Sequence, residues 1–199
     1  MENTTPAASP ITGHTGLTCL LGSPCAHSVS PMMHNASFEA LGLDYRYLAF
    51  DVNEETLPTA VAGLKVLGAR GFNLTMPDKN LMVSLCDELS TAARIIGAVN
   101  TVVNENGRLV GHNTDGIGYM QSIKDAGYDI IGKKMTLLGA GGAATAILVQ
   151  AALDGLKEIS VFVRPTSRFY DRLVHTVEEL TEITDCRIRI CDFSDADLL

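Results

Sequence analysis

The chain has 199 residues, 46% of them hydrophobic, with 15 basic against 23 acidic side chains and a net charge of −8. A chain of this length buries roughly 70% of the surface its unfolded form exposes, enough for one or two domains with a sizeable core. The acidic balance argues against a nucleic-acid backbone or an anionic membrane as main partner, and leaves room for a small anionic ligand held by local donors.

The opening "MENTTPAASPITGHTG" has an early acid, two prolines and no apolar run, so residues 1–15 read as a flexible lead-in and not as a signal or anchor. "GLTCLLG" (16–22) reads as a strand, and "SPMMHNASFEALGL" (30–43) as a helix with Ser30 as N-cap, Pro31 in its first turn and a close near Gly42. "YRYLAFDV" (45–52) reads as a strand, "EETLPTAVAGLKVLG" (54–68) as a helix with Pro58 at its start, and "GFNLTM" (71–76) as a strand. This β-α-β-α-β alternation implies a largely parallel sheet. Residues 79–97 read as one or two helices. "AVNTVV", the turn "NENG" and "RLVGHN" then form a hairpin, with Asn100 in its first strand and Asp115 in the turn that follows.

A helix at 116–128 leads to a second alternating unit: strand "KMTLLG" (134–139), a glycine-rich turn with the helix "AATAILVQAALDGL", and strand "EISVFV" (158–163). A helix around "SRFYDRLVHTVEELTEIT" and a strand "RIRICDF" (187–193) complete it. The boundary between the units is expected within 113–132. "SDADLL" reads as the opening of another helix, and three strands after residue 133 are fewer than an open nucleotide-binding sheet uses, so the chain is expected to be incomplete at its C-terminus.

No stretch approaches the ~18 continuous apolar residues of a membrane helix. Five scattered cysteines, Cys19, Cys25, Cys86, Cys186 and Cys191, with no Cys-x-x-Cys pair, fit reduced thiols in the cytoplasm. The histidines at 14, 27, 34, 112 and 175 also lack metal-ligand spacing, so no metal is expected.

The strongest physical signal lies in "LLGAGGAATA". Gly139, Gly141 and Ala144 match Gly-x-Gly-x-x-Gly/Ala between an expected strand and an expected helix. There the first glycine permits the tight turn, the second lets backbone approach a pyrophosphate, and the small third residue lets helix pack on strand. Gly139, Ala140, Gly141, Gly142 and Ala143 are therefore the candidate dinucleotide contacts. At the end of the next strand an acid would hold the ribose 2′-hydroxyl of NAD, whereas arginine would accept the 2′-phosphate of NADP. "VFVRPTSRFYD" offers Arg164 and Arg168 and no acid before Asp171, which leans towards NADP with NAD as the alternative. Two arginines in an exposed loop are equally compatible with plain solvation.

Three polar sets interrupt the first unit: Ser28 and Ser30 ahead of a helix, Thr75 and Lys79 in "NLTMPDK", and Asn100 with Asp115 in "AVNT" and "HNTDG". Each taken alone is ordinary capping or turn chemistry. What they share is position, since most fall at ends of expected strands, where open α/β sheets place ligands.

Together "GSPCAHSVSP", "NLTMPDK", "GAVNT", "NTDG" and "LLGAGGA", in this order and spacing across residues 22–143, resemble the shikimate dehydrogenase family. The linker "GYDIIGK" and "LDGLKEI" look like its quinate/shikimate dehydrogenase branch. The resemblance implies an α/β chain with an open substrate domain at 16–115, followed at 116–199 by the first part of a Rossmann-like NAD(P)-binding domain. It implies reversible NADP(H)-dependent reduction of 3-dehydroshikimate to shikimate in aromatic amino-acid biosynthesis, by a cytoplasmic monomer or homodimer. Ser28 and Ser30 then resemble the substrate-carboxylate serines. Thr75, Lys79, Asn100 and Asp115 resemble the residues that hold the ring hydroxyls, with Lys79 and Asp115 as catalytic pair.

The sequence departs from the family in two ways. Val163, Arg164 and Pro165 stand where many NADP-specific members carry Asn-Arg-Thr, and Thr166 and Ser167 stand where the quinate/shikimate branch often has an acid. The chain also stops before the family's remaining Rossmann strands and C-terminal helices, which leaves open whether it is active as it stands. The alternatives are a quinate/shikimate dehydrogenase using NAD(H) and, from a different class, a non-catalytic binding module that keeps the fold.

Overall fold

The computed structural model describes residues 10–194; residues 1–9 of the expected lead-in, and the expected helix opening from residue 195 on, lie outside them. The described chain divides into two compact units. One comprises the residues up to Glu88 with Val99–Gly111, the other Leu89–Ala98 with the residues from His112 on.

In the first unit, β1 (Gly16–Gly22) pairs in parallel with β2 (Tyr45–Asp51) and with β3 (Gly71–Leu74). The crossovers carry α1 (Ser30–Ala40) and α2 (Leu57–Val66), each with a proline in its first turn, where a missing N–H costs nothing. α2 buries Leu57, Val61 and Leu64, one stripe at helical spacing. Gly42 follows α1 at φ +65, a backbone region where glycine carries no Cβ penalty.

The sheet is mixed, not largely parallel. β5 (Thr101–Glu105) runs antiparallel to β3, and the strand order is β2-β1-β3-β5-β6-β4, where β6 is Arg108–His112 and β4 is Glu88–Leu89. β5 and β6 are joined through Asn106 (φ 56) and Gly107 (φ 94), the left-handed pair that a tight hairpin turn demands. Asn100 sits one residue before β5, not inside it.

The stretch expected as helix over 79–97 is mostly something else: a 3-10 turn (Leu81–Leu85), the short β4, and only then α3 (Thr91–Ile96). Ser90 Oγ accepts the Ala93 N–H at 3.2 Å and Gly97 closes α3 at φ 61. α3 belongs to the second unit because its Ile95 and Ile96 join that core, Arg172 donates to the Ile96 carbonyl, and Arg94 pairs with Glu179.

The second unit holds a parallel sheet in the order β7 (Lys134–Leu138), β8 (Glu158–Phe162), β9 (Arg187–Cys191). α5 (Gly142–Leu153) and α6 (Tyr170–Ile183) make the connections, and α4 (Asp115–Asp125) precedes them. Its core gathers Leu148 and Val149 of α5, Ile159 and Val161 of β8, and Leu173 and Leu180 of α6. α4 approaches α5 closely at Gly116, where a Cβ would stand 2.3 Å from the Ala146 carbonyl oxygen.

Candidate functional site

The polar residues of the first unit collect at one end of its sheet. β1 and β3 are parallel, so their carboxyl ends coincide; β5 is antiparallel to β3, so its amino end meets them, with Asn73 opposite Thr101. Thr75 follows β3 directly, its N–H donating to the Leu21 carbonyl at 2.9 Å. Gly22 lets that loop approach: a Cβ there would lie 2.2 Å from Thr75 Cγ2 and 3.0 Å from the Met76 carbonyl oxygen.

Lys79 is half-buried in the turn beyond, and its carbonyl accepts the Val99 N–H at 2.8 Å, tying the lysine's backbone to the strand entry that carries Asn100. Asn100 is 8% exposed, its carbonyl accepts the Leu74 N–H at 2.9 Å, and its Oδ1 accepts a hydrogen bond from Thr101 Oγ1 at 3.0 Å.

Ser28 and Ser30 lie in and after the loop leaving β1. The residue preceding α1 is Val29, so Ser30 is the first helical residue and not the N-cap. Ser28 Oγ instead accepts the Ser30 N–H at 3.2 Å. A hydroxyl accepting one bond keeps its O–H to donate, so the capping role leaves Ser28 able to bind an anion.

Between Pro77 and Lys79 the structure places a residue that sequence reasoning passed over. Asp78 is 0% exposed and neither carboxylate oxygen has a hydrogen-bond partner among the described residues. Burial, and secondarily the charge of Glu54, push its carboxyl above the usual range, favouring the neutral acid.

Asp115, also a candidate, belongs to the second unit. It is the first residue of α4 and not part of a turn. Its N–H donates to Asn113 Oδ1 at 3.1 Å, and Asn113 Nδ2 donates to the Ala98 carbonyl at 3.0 Å. Asn113, 3% exposed, thus pins the start of α4 to the end of the α3 segment, an anchoring role that only its Asx-turn spacing in "HNTDG" foreshadows.

The second candidate site lies wholly in the second unit. Gly139 takes φ +96 after β7 and its N–H donates to the Phe162 carbonyl at 2.8 Å; Gly141 then precedes α5 without a side-chain cap. A Cβ at Gly139, Gly141 or Gly142 would meet nothing within 4 Å, so open space faces this backbone at the start of a twelve-residue helix. Uncapped N–H groups with the helix dipole behind them suit a phosphate group. A cavity of about 470 Å³ lies there, lined by Gly139, Ala140, Gly141, Val163, Arg164 and Ser167 among others. Arg164 thus shares the cavity with the glycine turn, whereas Arg168 lies over the Phe169 ring at 4.7 Å from its centroid. Thr145 is buried and donates to the Gly141 carbonyl at 3.1 Å, bracing the turn.

No group of three or more His, Cys, Asp or Glu side chains among the described residues could hold a metal ion. No helix among them is long and apolar enough to cross a membrane.

An open α/β sheet followed by a Rossmann-like βαβαβ unit with a glycine-rich first turn defines a class of two-unit α/β proteins. Within it, residues 20–102 match the shikimate dehydrogenase substrate binding domain. Shikimate dehydrogenase (NADP(+)) of Listeria monocytogenes serotype 4b is 53% identical over 189 residues, covering 95% of this chain and 65% of that protein. Quinate/shikimate dehydrogenase of Escherichia coli O139:H28 is 46% identical over 176 residues, 88% of this chain and 61% of that one. The crystal structure of shikimate 5-dehydrogenase from Listeria monocytogenes in complex with shikimate and NAD superposes with a TM-score of 0.90 at 52% identity, covering 96% of this chain and 66% of that one. The chain spans about 65% of the length of these Listeria relatives.

Proposed function

We propose that this chain carries the substrate-binding and the leading dinucleotide-binding parts of a cytoplasmic NADP-dependent shikimate dehydrogenase, which reversibly reduces 3-dehydroshikimate to shikimate. The observation that carries the reading is the gathering of Ser28, Thr75, Lys79 and Asn100 at one sheet end in a chain 53% identical to a shikimate dehydrogenase (NADP(+)). Ser28 and Ser30 take the substrate carboxylate; Thr75 and Asn100 take ring hydroxyls.

The nicotinamide, when bound, supplies and receives the hydride. The Lys79 ammonium stabilises the charge that develops on the C3 oxygen and protonates it; in the oxidative direction the neutral amine accepts the hydroxyl proton. Asp115 is the second member of the catalytic pair that the family resemblance implies. Gly139, Ala140, Gly141, Gly142 and Ala143 offer the backbone cradle for the pyrophosphate. Arg164, with Arg168 as a second candidate, takes the 2′-phosphate; among the described residues the cavity lining holds an arginine and a serine and no acid, which supports NADP over NAD.

A second reading, a quinate/shikimate dehydrogenase using NAD(H), is favoured by the 46% identity to that enzyme of Escherichia coli. Steady-state turnover of shikimate and quinate with each cofactor separates the two, with direct binding of shikimate and NADP measured alongside. Lys79→Ala is expected to lower kcat by about 10²- to 10⁴-fold while shikimate binding changes little. Unchanged turnover removes Lys79 from the mechanism, and a chain that binds neither shikimate nor quinate is not a dehydrogenase of this kind.

A further inference from the structure

We infer that Tyr47 and Thr101 are positioning residues that fix which end of the Asn100 amide faces the substrate, so that Asn100 presents an N–H donor to a ring hydroxyl oxygen. The inference rests on the functional reading above and adds the device that orients one of its ligand-holding residues.

Four side chains form one relay within the first unit. Tyr47 Oη donates to Asn73 Oδ1 at 2.8 Å. Asn73 Nδ2 donates to the Asn100 carbonyl at 3.2 Å and to Thr101 Oγ1 at 3.0 Å. Thr101 Oγ1 donates to Asn100 Oδ1 at 3.0 Å.

The polarity of this relay follows from its fixed members. The Asn100 carbonyl can only accept, and it already takes the Leu74 N–H at 2.9 Å, so the Asn73 amide must turn its nitrogen towards it. Asn73 Oδ1 then faces Tyr47, whose phenol must donate. The second Asn73 N–H meets Thr101 Oγ1, which is thereby an acceptor and directs its single hydrogen to Asn100 Oδ1. Asn100 therefore enters the relay by its oxygen, and its nitrogen is the end that donates elsewhere. Flipping the Asn73 amide would set its oxygen against the Asn100 carbonyl, and flipping the Asn100 amide would replace the acceptor of the Thr101 hydroxyl hydrogen by a second donor to its oxygen.

Tyr47 is held for this task. It is 2% exposed, its ring stacks on His34 at 4.3 Å between centroids, and its backbone is clamped by Asn35 at 2.9 Å on both N–H and carbonyl. Burial, with a smaller contribution from Cys19, pushes its phenol well above the usual value, so it stays protonated and remains a donor. An Asn100 fixed as donor donates to a hydroxyl or keto oxygen and disfavours a protonated amine at the same place, which makes the relay a specificity device.

The test is a mutant cycle read by shikimate affinity and by the side-chain amide resonances of Asn100. Thr101→Val is expected to weaken shikimate binding about 3- to 10-fold, the scale of one neutral hydrogen bond, and Thr101→Ser to restore most of it. Tyr47→Phe is expected to weaken it about 2- to 5-fold by the same reasoning at one remove. In an Asn100→Ala background Thr101→Val should add almost nothing, because its effect passes through Asn100. Equal losses with and without Asn100, or no loss with Thr101→Val, would overturn the inference.

Should the parent chain bind no shikimate, the functional reading falls and the relay is judged by the resonances alone. The Asn100 amide signals shift in Thr101→Val and in Tyr47→Phe if the relay holds. Unshifted signals in a folded variant overturn it.

Discussion

Gly116 immediately follows the candidate residue Asp115, and it is the point where α4 lies against α5. Replacing it by alanine sets two effects against each other. A glycine inside a helix costs about 1 kcal/mol relative to alanine, so propensity alone predicts stabilisation. The added Cβ would lie 2.3 Å from the Ala146 carbonyl oxygen and 2.7 Å from Gln150 Cβ. Relief requires roughly 1 Å of movement by a helix backbone that has no rotamer to change, which puts the overpacking cost near the upper end of the usual range, about 3 kcal/mol. The clash wins by about 2 kcal/mol, or roughly 4–8 °C in Tm for a protein of this size. Gly118, two residues on, is exposed and its Cβ would meet nothing within 4 Å, so there the propensity term acts alone. Gly118→Ala should raise Tm by about 2–4 °C. Thermal unfolding followed by circular dichroism on both variants decides the matter. A Gly116→Ala protein as stable as the Gly118→Ala protein would refute the α4–α5 contact and, with it, the packing that positions Asp115.

Other consequences are equally direct. Gly22→Ala should cost about 1–3 kcal/mol, mostly through overlap with Thr75 Cγ2, and adding Thr75→Ser, which removes that methyl but keeps the hydroxyl, should return part of the stability and of any shikimate affinity lost, the Met76 carbonyl contact remaining. If the second change rescues nothing, the close approach of Gly22 to the Thr75 loop is wrong. Arg164→Ala should weaken NADP about 10-fold or more, the loss of a charge-assisted hydrogen bond, while NAD binding barely changes; equal losses for the two cofactors would remove Arg164 from 2′-phosphate recognition. Glu158 is buried beside Lys134, Arg187 and Arg189 at 3.3, 3.6 and 3.8 Å. Desolvation pushes its carboxyl up, but Lys134 and then Arg189 and Arg187 outweigh that and leave it below the usual range. A carboxyl depressed in the folded state contributes stability above its unfolded value that disappears as pH falls through the folded one. Tm measured against pH should therefore fall more steeply on acidification in the parent than in Glu158→Gln, and parallel curves would contradict the ion cluster.

Much of the architecture was legible because it rests on local rules. The parallel core of the first unit followed from apolar strands separated by helices whose prolines sit in their first turns. The glycine turn at 139–142 followed from residue types that only a tight, open backbone needs. Segment 79–97 was misread because its alanines and leucines carry helical propensity throughout, whereas the 3-10 turn and β4 arise from hydrogen bonds to distant partners, such as the Asp87 N–H donating to the Leu109 carbonyl at 2.9 Å. Ser30 and Asp115 were each placed one step away from their actual positions in their helices, an error that pattern reading makes at element ends.

By itself the sequence determined the class of the fold, the polar residue types gathered at one strand end, and the backbone freedom of the glycine turn. These depend on near neighbours along the chain, through propensity, capping and the conformational range of glycine. Tertiary structure alone decided that Thr101 and Asn73 meet across β3 and β5, that Tyr47 reaches them from an edge strand, and that the Asp78 carboxylate is buried with no hydrogen-bond partner among the described residues. It also decided that α3 leaves its sequence neighbours for the second unit. Those facts depend on strand register and on which surfaces are removed from water together, and a linear pattern carries neither.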